Sequence, residues 1–141
     1  MQWPVSQRVY GYDGFLGDVQ ATIARAANAI AEFEPVILLA DRNEHPRARR
    51  VVSSGVELWD VPTEDLWARD AGLLFATNGK DMRGQSLNFN EWGGKQVDRH
   101  DSRIAGRLSE ILDLPLAPSP LVGEPGGVDH HGDTLIAHES S

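Results

Sequence analysis

Between residues 16 and 30 the apolar positions Leu16, Val19, Ile23, Ala26, Ala27 and Ile30 recur at steps of three and four, the period of one helical face. Asp13 or Asp18 is placed to cap this helix, and Pro35 stops it. Val36-Ile37-Leu38-Leu39-Ala40 follows as an unbroken apolar run of strand length, which reads as a buried strand. Residues 41–50 are charged and surface-like, with room for a short helix after Pro46. Val56 to Val61 alternates with period two, the pattern of a half-buried strand. A polar segment, 63–70, separates it from an apolar run at 72–77 that ends on the turn signal Asn78-Gly79. Residues 85–90 are the expected partner strand. Ile104, Leu108, Ile111 and Leu112 then mark a second helix, broken by Pro115, Pro118 and Pro120. A glycine-rich turn at 123–127 and a strand at 134–137 complete the order: helix, four strands, helix, strand. The class is α/β, an αβ unit used about twice, in a single domain 1–141 without an internal linker.

Composition narrows the function. With 13 Lys and Arg against 21 Asp and Glu the net charge is −8 over 141 residues, which argues against nucleic acid or an anionic membrane as partner. The same balance attracts a cationic small molecule. The five-residue run at 36–40 is the longest apolar stretch and is too short to span a bilayer; no basic flank leads into an apolar segment at the N-terminus, so a cytoplasmic protein is expected. Cysteine is absent, which removes disulfides, thiolate zinc sites and cysteine catalysis by these residues.

Three segments carry candidate chemistry. In Pro62-Thr63-Glu64-Asp65-Leu66-Trp67-Ala68-Arg69-Asp70-Ala71-Gly72, Trp67 and Asp70 are three residues apart, so one helical turn would aim both the same way. An aromatic face beside a carboxylate suits a flat cation such as guanidinium, whose N–H groups pair with the two oxygens while the ring covers its plane. On residue types alone, an Arg69–Asp70 surface pair with Trp67 in the core is the commoner arrangement. In the second segment, Asn88-Phe89-Asn90-Glu91-Trp92-Gly93-Gly94-Lys95, a strand ending in Trp-Gly-Gly sets an indole at a pocket rim or simply buries it at a glycine turn. The third runs from Gly123 to Thr134, where Glu124 stands before Gly126-Gly127 at the mouth of a site or as a solvated turn residue. Asp129, His130, His131, Asp133 and His138 look like metal ligands at first sight. Adjacent residues of an extended chain face opposite ways, however, and no H-E-x-x-H spacing occurs, so no metal is expected. Neither a G-x-S-x-G elbow nor a phosphate loop is present, and Ser140 and Ser141 are terminal.

Together these segments resemble the agmatine deiminase family, which includes the bacterial-type peptidylarginine deiminases. The resemblance starts with Trp3-Pro4 and Phe33-Glu34-Pro35-Val36. It continues through a Pro-Thr-x-Asp-x-Trp-x-Arg-Asp-x-Gly signature at Pro62, Thr63, Asp65, Trp67, Arg69, Asp70 and Gly72. A Phe-Asn-x-Trp-Gly-Gly match follows at Phe89, Asn90, Trp92, Gly93 and Gly94, and Glu124, Gly126, Thr134, Leu135 and Glu139 fit a final Glu-Gly-Gly to Gly-Thr-Leu pattern ending in Glu. Pro125 replaces the family's glycine after the glutamate, and Asp129 and His131 stand where the family carries a His or Glu and then an Asp.

The resemblance implies a partial pentein, an α/β-propeller of ββαβ modules of which this chain holds about the first two. It implies hydrolysis of a guanidine C–N bond without metal or cofactor, agmatine and water giving N-carbamoylputrescine and ammonia, as in putrescine synthesis. In that scheme a cysteine thiolate attacks the guanidinium carbon and water resolves the intermediate. The family's nucleophilic Cys and His-x-Asp lie in later modules, past Ser141, so this chain alone is expected to be inactive. By position Asp70 resembles the guanidinium-binding catalytic carboxylate; Trp67, Trp92 and Glu124 resemble substrate-pocket residues. The alternatives are a protein- or free-arginine deiminase and, from another class, a catalytically inactive guanidinium-binding or subunit-interaction module. An incomplete propeller exposes apolar strand edges, which favours self-association into a homo-oligomer.

Overall fold

The run Val36–Ala40 forms strand β1 in the computed structural model, which describes residues 1–12, 14–96 and 99–137. The chain divides into two units, Met1–Trp67 and Ala68–Ser141. In the first, β1 pairs in parallel with β2 (Val56–Asp60), in register from Val36 opposite Val56 to Ala40 opposite Asp60. A parallel pair needs a crossover. Here it is a 3-10 turn, Arg42–Glu44, followed by the four-residue helix α2 (His45–Ala48), with Pro46 in its first turn where a missing N–H costs nothing. Asp41 starts the turn by accepting a hydrogen bond from the Asn43 N–H at 2.8 Å. On its other side β1 is met by the N-terminal residues: Trp3 donates its N–H to the Leu39 carbonyl and Leu39 returns one to Met1, each at 2.9 Å.

Helix α1 (Phe15–Ile30) covers this pair, but its buried face differs from the expected one. Leu16, Gln20, Ala24 and Ala27 point inward, whereas Val19 and Ala26 are half-buried and Ile30 is exposed. The face turns toward Gln20 because its side-chain amide donates to the Pro4 carbonyl at 2.7 Å, a bond no apolar residue makes. The small residues Ala24 and Ala27 let the helix approach a core of Trp3, Val36, Leu38, Ala40, Ala48, Val52 and Val56. The helix cap also differs. Gly14, in the left-handed region at φ 89°, holds the cap position with no side-chain bond, and Asp18 lies in the first turn, where its charge faces the positive end of the helix. The other expected cap, Asp13, lies outside the described residues.

In the second unit, β3 (Leu74–Thr77) and β4 (Met82–Gln85) form an antiparallel hairpin. Its turn is set by the Asn78 side chain, which accepts from the Lys80 and Asp81 N–H groups at 3.0 and 2.8 Å. A helix α3 (Ala68–Ala71) precedes the hairpin. After it come α4 (Ile104–Ile111) and the two-residue strand β5 (Leu116–Ala117), which pairs in parallel with β4. The run is therefore ββαβ. The expected strand at 85–90 is not formed: β4 ends at Gln85, and 86–90 is irregular, with Asn88 at φ 52°. Leu87 and Phe89 are buried without strand pairing, so their alternation with polar neighbours reflects anchoring of a loop. A last hairpin joins β6 (Val128–His131) to β7 (Thr134–Ala137) through Gly132 at φ 55°. Only β7 was expected, since Val128-Asp129-His130-His131 has no apolar pattern. Among the described residues no helix is long and apolar enough to cross a membrane.

Candidate functional site

Asp70 sits on α3, and its carboxylate is enclosed from two sides. The Trp92 indole N–H donates to Oδ2 at 3.1 Å. Gly126 abuts the other oxygen so closely that a Cβ there would stand 2.0 Å from Oδ1. Only glycine is compatible with this approach.

Trp92 reaches Asp70 through a backbone that right-handed structure does not supply. Glu91, Trp92, Gly93 and Gly94 have φ of 62°, 55°, 75° and 73°, four consecutive residues in the left-handed region. Two glycines tolerate this; Glu91 and Trp92 do so at a cost of about 1–2 kcal/mol each. The Asn90 side chain accepts from the Gly93 N–H at 2.9 Å, and the N–H groups of Gly94 and Lys95 return to the carbonyls of Asn90 and Glu91 at 2.9 and 3.0 Å. Phe89 meets the Trp92 ring edge-on at 5.0 Å and 86°. That contact contributes roughly 0.5–1.5 kcal/mol, and a hydrogen bond to a charged group about 1.5–3 kcal/mol. The two contacts are of the same size as the strain they hold.

The segment carrying Glu124 is tied to this loop. Asn88 donates its side-chain amide to the carbonyls of Ser119 and Leu121 at 3.0 and 2.8 Å, and the Gly123 N–H reaches the Leu87 carbonyl at 2.9 Å. Glu124 is extended and leads into a 3-10 turn, Pro125–Gly127, whose Gly127 N–H donates to its carbonyl at 2.9 Å. Pro125, the departure from the family pattern, opens that turn where a fixed φ suits it. The two segments enclose a cleft of about 310 Å³, with Trp92, Asn90, Glu124 and Lys95 in its wall. Asp70 is not among the residues of that wall and is linked to it through the Trp92 N–H.

Asp70, Trp92 and Glu124 are thus assembled in one unit. Trp67 is the last residue of the other, 51% exposed, and precedes α3. The single helical turn expected to align it with Asp70 is not formed, because the chain at 64–66 is bent and Asp65 Oδ1 holds the Leu66 N–H at 2.7 Å. Asp65 is a fully buried carboxylate that also accepts the Tyr10 hydroxyl and whose carbonyl takes the Gln2 amide at 3.2 Å. Sequence reading matched Asp65 and Gly126 to motifs without giving either a task. In β6 the alternation puts His130 on one face and Asp129 and His131 on the other. Among the described residues no group of three or more His, Asp or Glu can hold a metal ion, and His138 and Glu139 lie outside them.

Comparison with known proteins gives one answer. Residues 1–141 match the family described as Porphyromonas-type peptidyl-arginine deiminase. A Legionella pneumophila (strain Paris) protein named "putative agmatine deiminase" is 33% identical over 144 residues, covering 99% of this chain and 41% of that protein. The agmatine deiminase of Pseudomonas aeruginosa (strain LESB58) is 34% identical over 99 residues, covering 65% of this chain and 27% of its own length. In structure, the agmatine deiminase of Enterococcus faecalis matches with a TM-score of 0.86 at 26% identity, over 97% of this chain and 39% of that one. The expected partial α/β fold is borne out by that match. The chain spans about 41% of the length of the first curated relatives it matches.

Proposed function

Because the chain belongs to the Porphyromonas-type peptidyl-arginine deiminase family, we propose that it supplies part of a guanidinium site for hydrolysis of agmatine to N-carbamoylputrescine and ammonia. The observation that carries this reading is the Asp70 carboxylate held by the Trp92 indole N–H, with Trp92 and Glu124 in the wall of one cleft. The Trp92 indole is an uncharged donor, so its hydrogen bond does not compete with a cation for the charge of the Asp70 carboxylate. Glu124 adds a second negative group, and the indole a flat face.

The reaction replaces a guanidine C–N bond with a C–O bond from water and releases ammonia. Its first step is attack by a thiolate on the guanidinium carbon. This chain has no cysteine, so the thiol of that step is not among these 141 residues. The working compartment is the cytoplasm. The exposed apolar residues Phe75, Leu135 and Ile136, 57%, 67% and 60% accessible, favour self-association.

A second reading is deimination of free or peptidyl arginine, of which Lys95 in the cleft wall favours free arginine. An ammonium there suits the carboxylate that arginine carries and agmatine lacks. One experiment separates the readings: the gene is read past the codon of Ser141, the whole frame is expressed, and ammonia release is compared on agmatine, arginine and a peptidyl-arginine substrate. Turnover of agmatine above the others, lost on Asp70→Asn, is expected. Preference for arginine selects the second reading. No release from any of the three, or a stop codon directly after Ser141, contradicts the catalytic assignment.

A further inference from the structure

The Asp70 carboxylate meets a turn, 91–94, in which two non-glycine residues hold left-handed backbone at a cost. A carboxylate on a short helix rotates freely about its side-chain bonds unless something fixes it. Here Gly126 blocks displacement on the Oδ1 side, where even a methyl group would stand 2.0 Å away. On the Oδ2 side the Trp92 indole N–H donates at 3.1 Å. We propose that Trp92 is a positioning residue for Asp70, and that the left-handed turn 91–94 is retained to deliver its N–H. This rests on the reading of Asp70 as a guanidinium carboxylate.

Three features favour positioning over simple packing. Indole is a donor with no acceptor capacity, so it fixes the ionised carboxylate and occupies one of about four lone-pair sites. It carries no charge, so it leaves the attraction for a guanidinium intact, as an arginine or lysine in its place would not. Its own ring is fixed edge-on by Phe89 at 5.0 Å, and its backbone by the Asn90 side chain. A residue needed only for bulk would not have to sit at φ 55°, ψ 48°, where a bulky side chain is an outlier.

The test reads the indole N–H directly. The chain has four tryptophans and so gives four indole signals in a ¹H–¹⁵N spectrum; Trp92→Phe removes one and identifies it. Asp70→Asn is expected to shift that signal upfield while those of Trp3 and Trp59, in the first unit, stay in place. Trp92→Phe, which keeps a ring and loses the donor, should weaken agmatine binding by about tenfold. A Trp92 signal indifferent to Asp70→Asn overturns the proposal, whatever the chain binds; if Trp92→Phe fails to fold, triple-resonance assignment of the unsubstituted chain identifies the signal and that arm stands. Unchanged affinity in a folded Trp92→Phe protein overturns it too. A coupled signal with no agmatine binding by the unsubstituted chain supports the orientation of Asp70 and contradicts the guanidinium reading instead.

Discussion

The two units spend their residues differently. Met1–Trp67 is organised around a conventional interior in which Trp3, Leu38 and Val56 are sealed between a parallel strand pair and an alanine-faced helix, and buried polar groups are bonded across long sequence distances. Ala68–Ser141 buries fewer large apolar side chains, leaves Phe75, Leu135 and Ile136 exposed, and concentrates left-handed non-glycine residues at Asn88, Glu91, Trp92 and Asp113. The first unit carries most of the buried apolar side chains, and the second carries the backbone strain, part of it where the Trp92 indole meets the Asp70 carboxylate. Strain of this kind gathers where function fixes geometry.

The largest effect should come from the first unit's interior. Leu38→Ala empties a fully buried position on β1 and should cost about 2–5 kcal/mol in urea unfolding. A cost below 1 kcal/mol would mean that this interior is looser than its burial indicates. Gly126→Ala comes next: the added methyl must push Asp70 aside, with an overpacking cost of about 1–3 kcal/mol. It should move the Trp92 indole signal and weaken agmatine binding together. A stability loss with binding intact would show that the Gly126 contact is packing alone.

The smallest change has the opposite sign. Glu91→Gly removes the side-chain penalty at φ 62°, offset by the greater freedom of glycine in the unfolded chain, so stability should rise by roughly 0.5–1 kcal/mol. A loss would indicate that Glu91 makes a contribution larger than its strain, and the contrast between the units would weaken.

Sequence patterning read the first unit well because there burial decides structure. The run 36–40 became β1 over the expected residues, and the alternation from Val56 became β2, one residue shorter than expected. The second unit was read less well for a physical reason. β4 is Met82-Arg83-Gly84-Gln85, exposed at Met82 and Arg83 and carrying no alternation of large apolar residues, so nothing in its polarity marks a strand. The alternation at 85–90 pointed to a strand, but Leu87 and Phe89 instead anchor an irregular loop. For the site, Asp70, Trp92 and Glu124 were all legible as residue types. Their assembly was not, since the Trp92–Asp70 bond spans 22 residues and depends on a left-handed turn for which Gly93-Gly94 was the sole signal. Asp65 was visible within a motif, yet full burial of a carboxylate cannot be inferred from a charged loop.

The central claim is that these residues recognise a guanidinium group. Its most direct test is calorimetric titration of the chain with agmatine and with putrescine, which shares the amine and the four-carbon chain but has no guanidinium. Saturable binding of agmatine, none of putrescine, and loss of roughly 10- to 100-fold in affinity on Asp70→Asn is the expected result. Equal binding of the two amines, or agmatine binding indifferent to Asp70→Asn, would contradict the account.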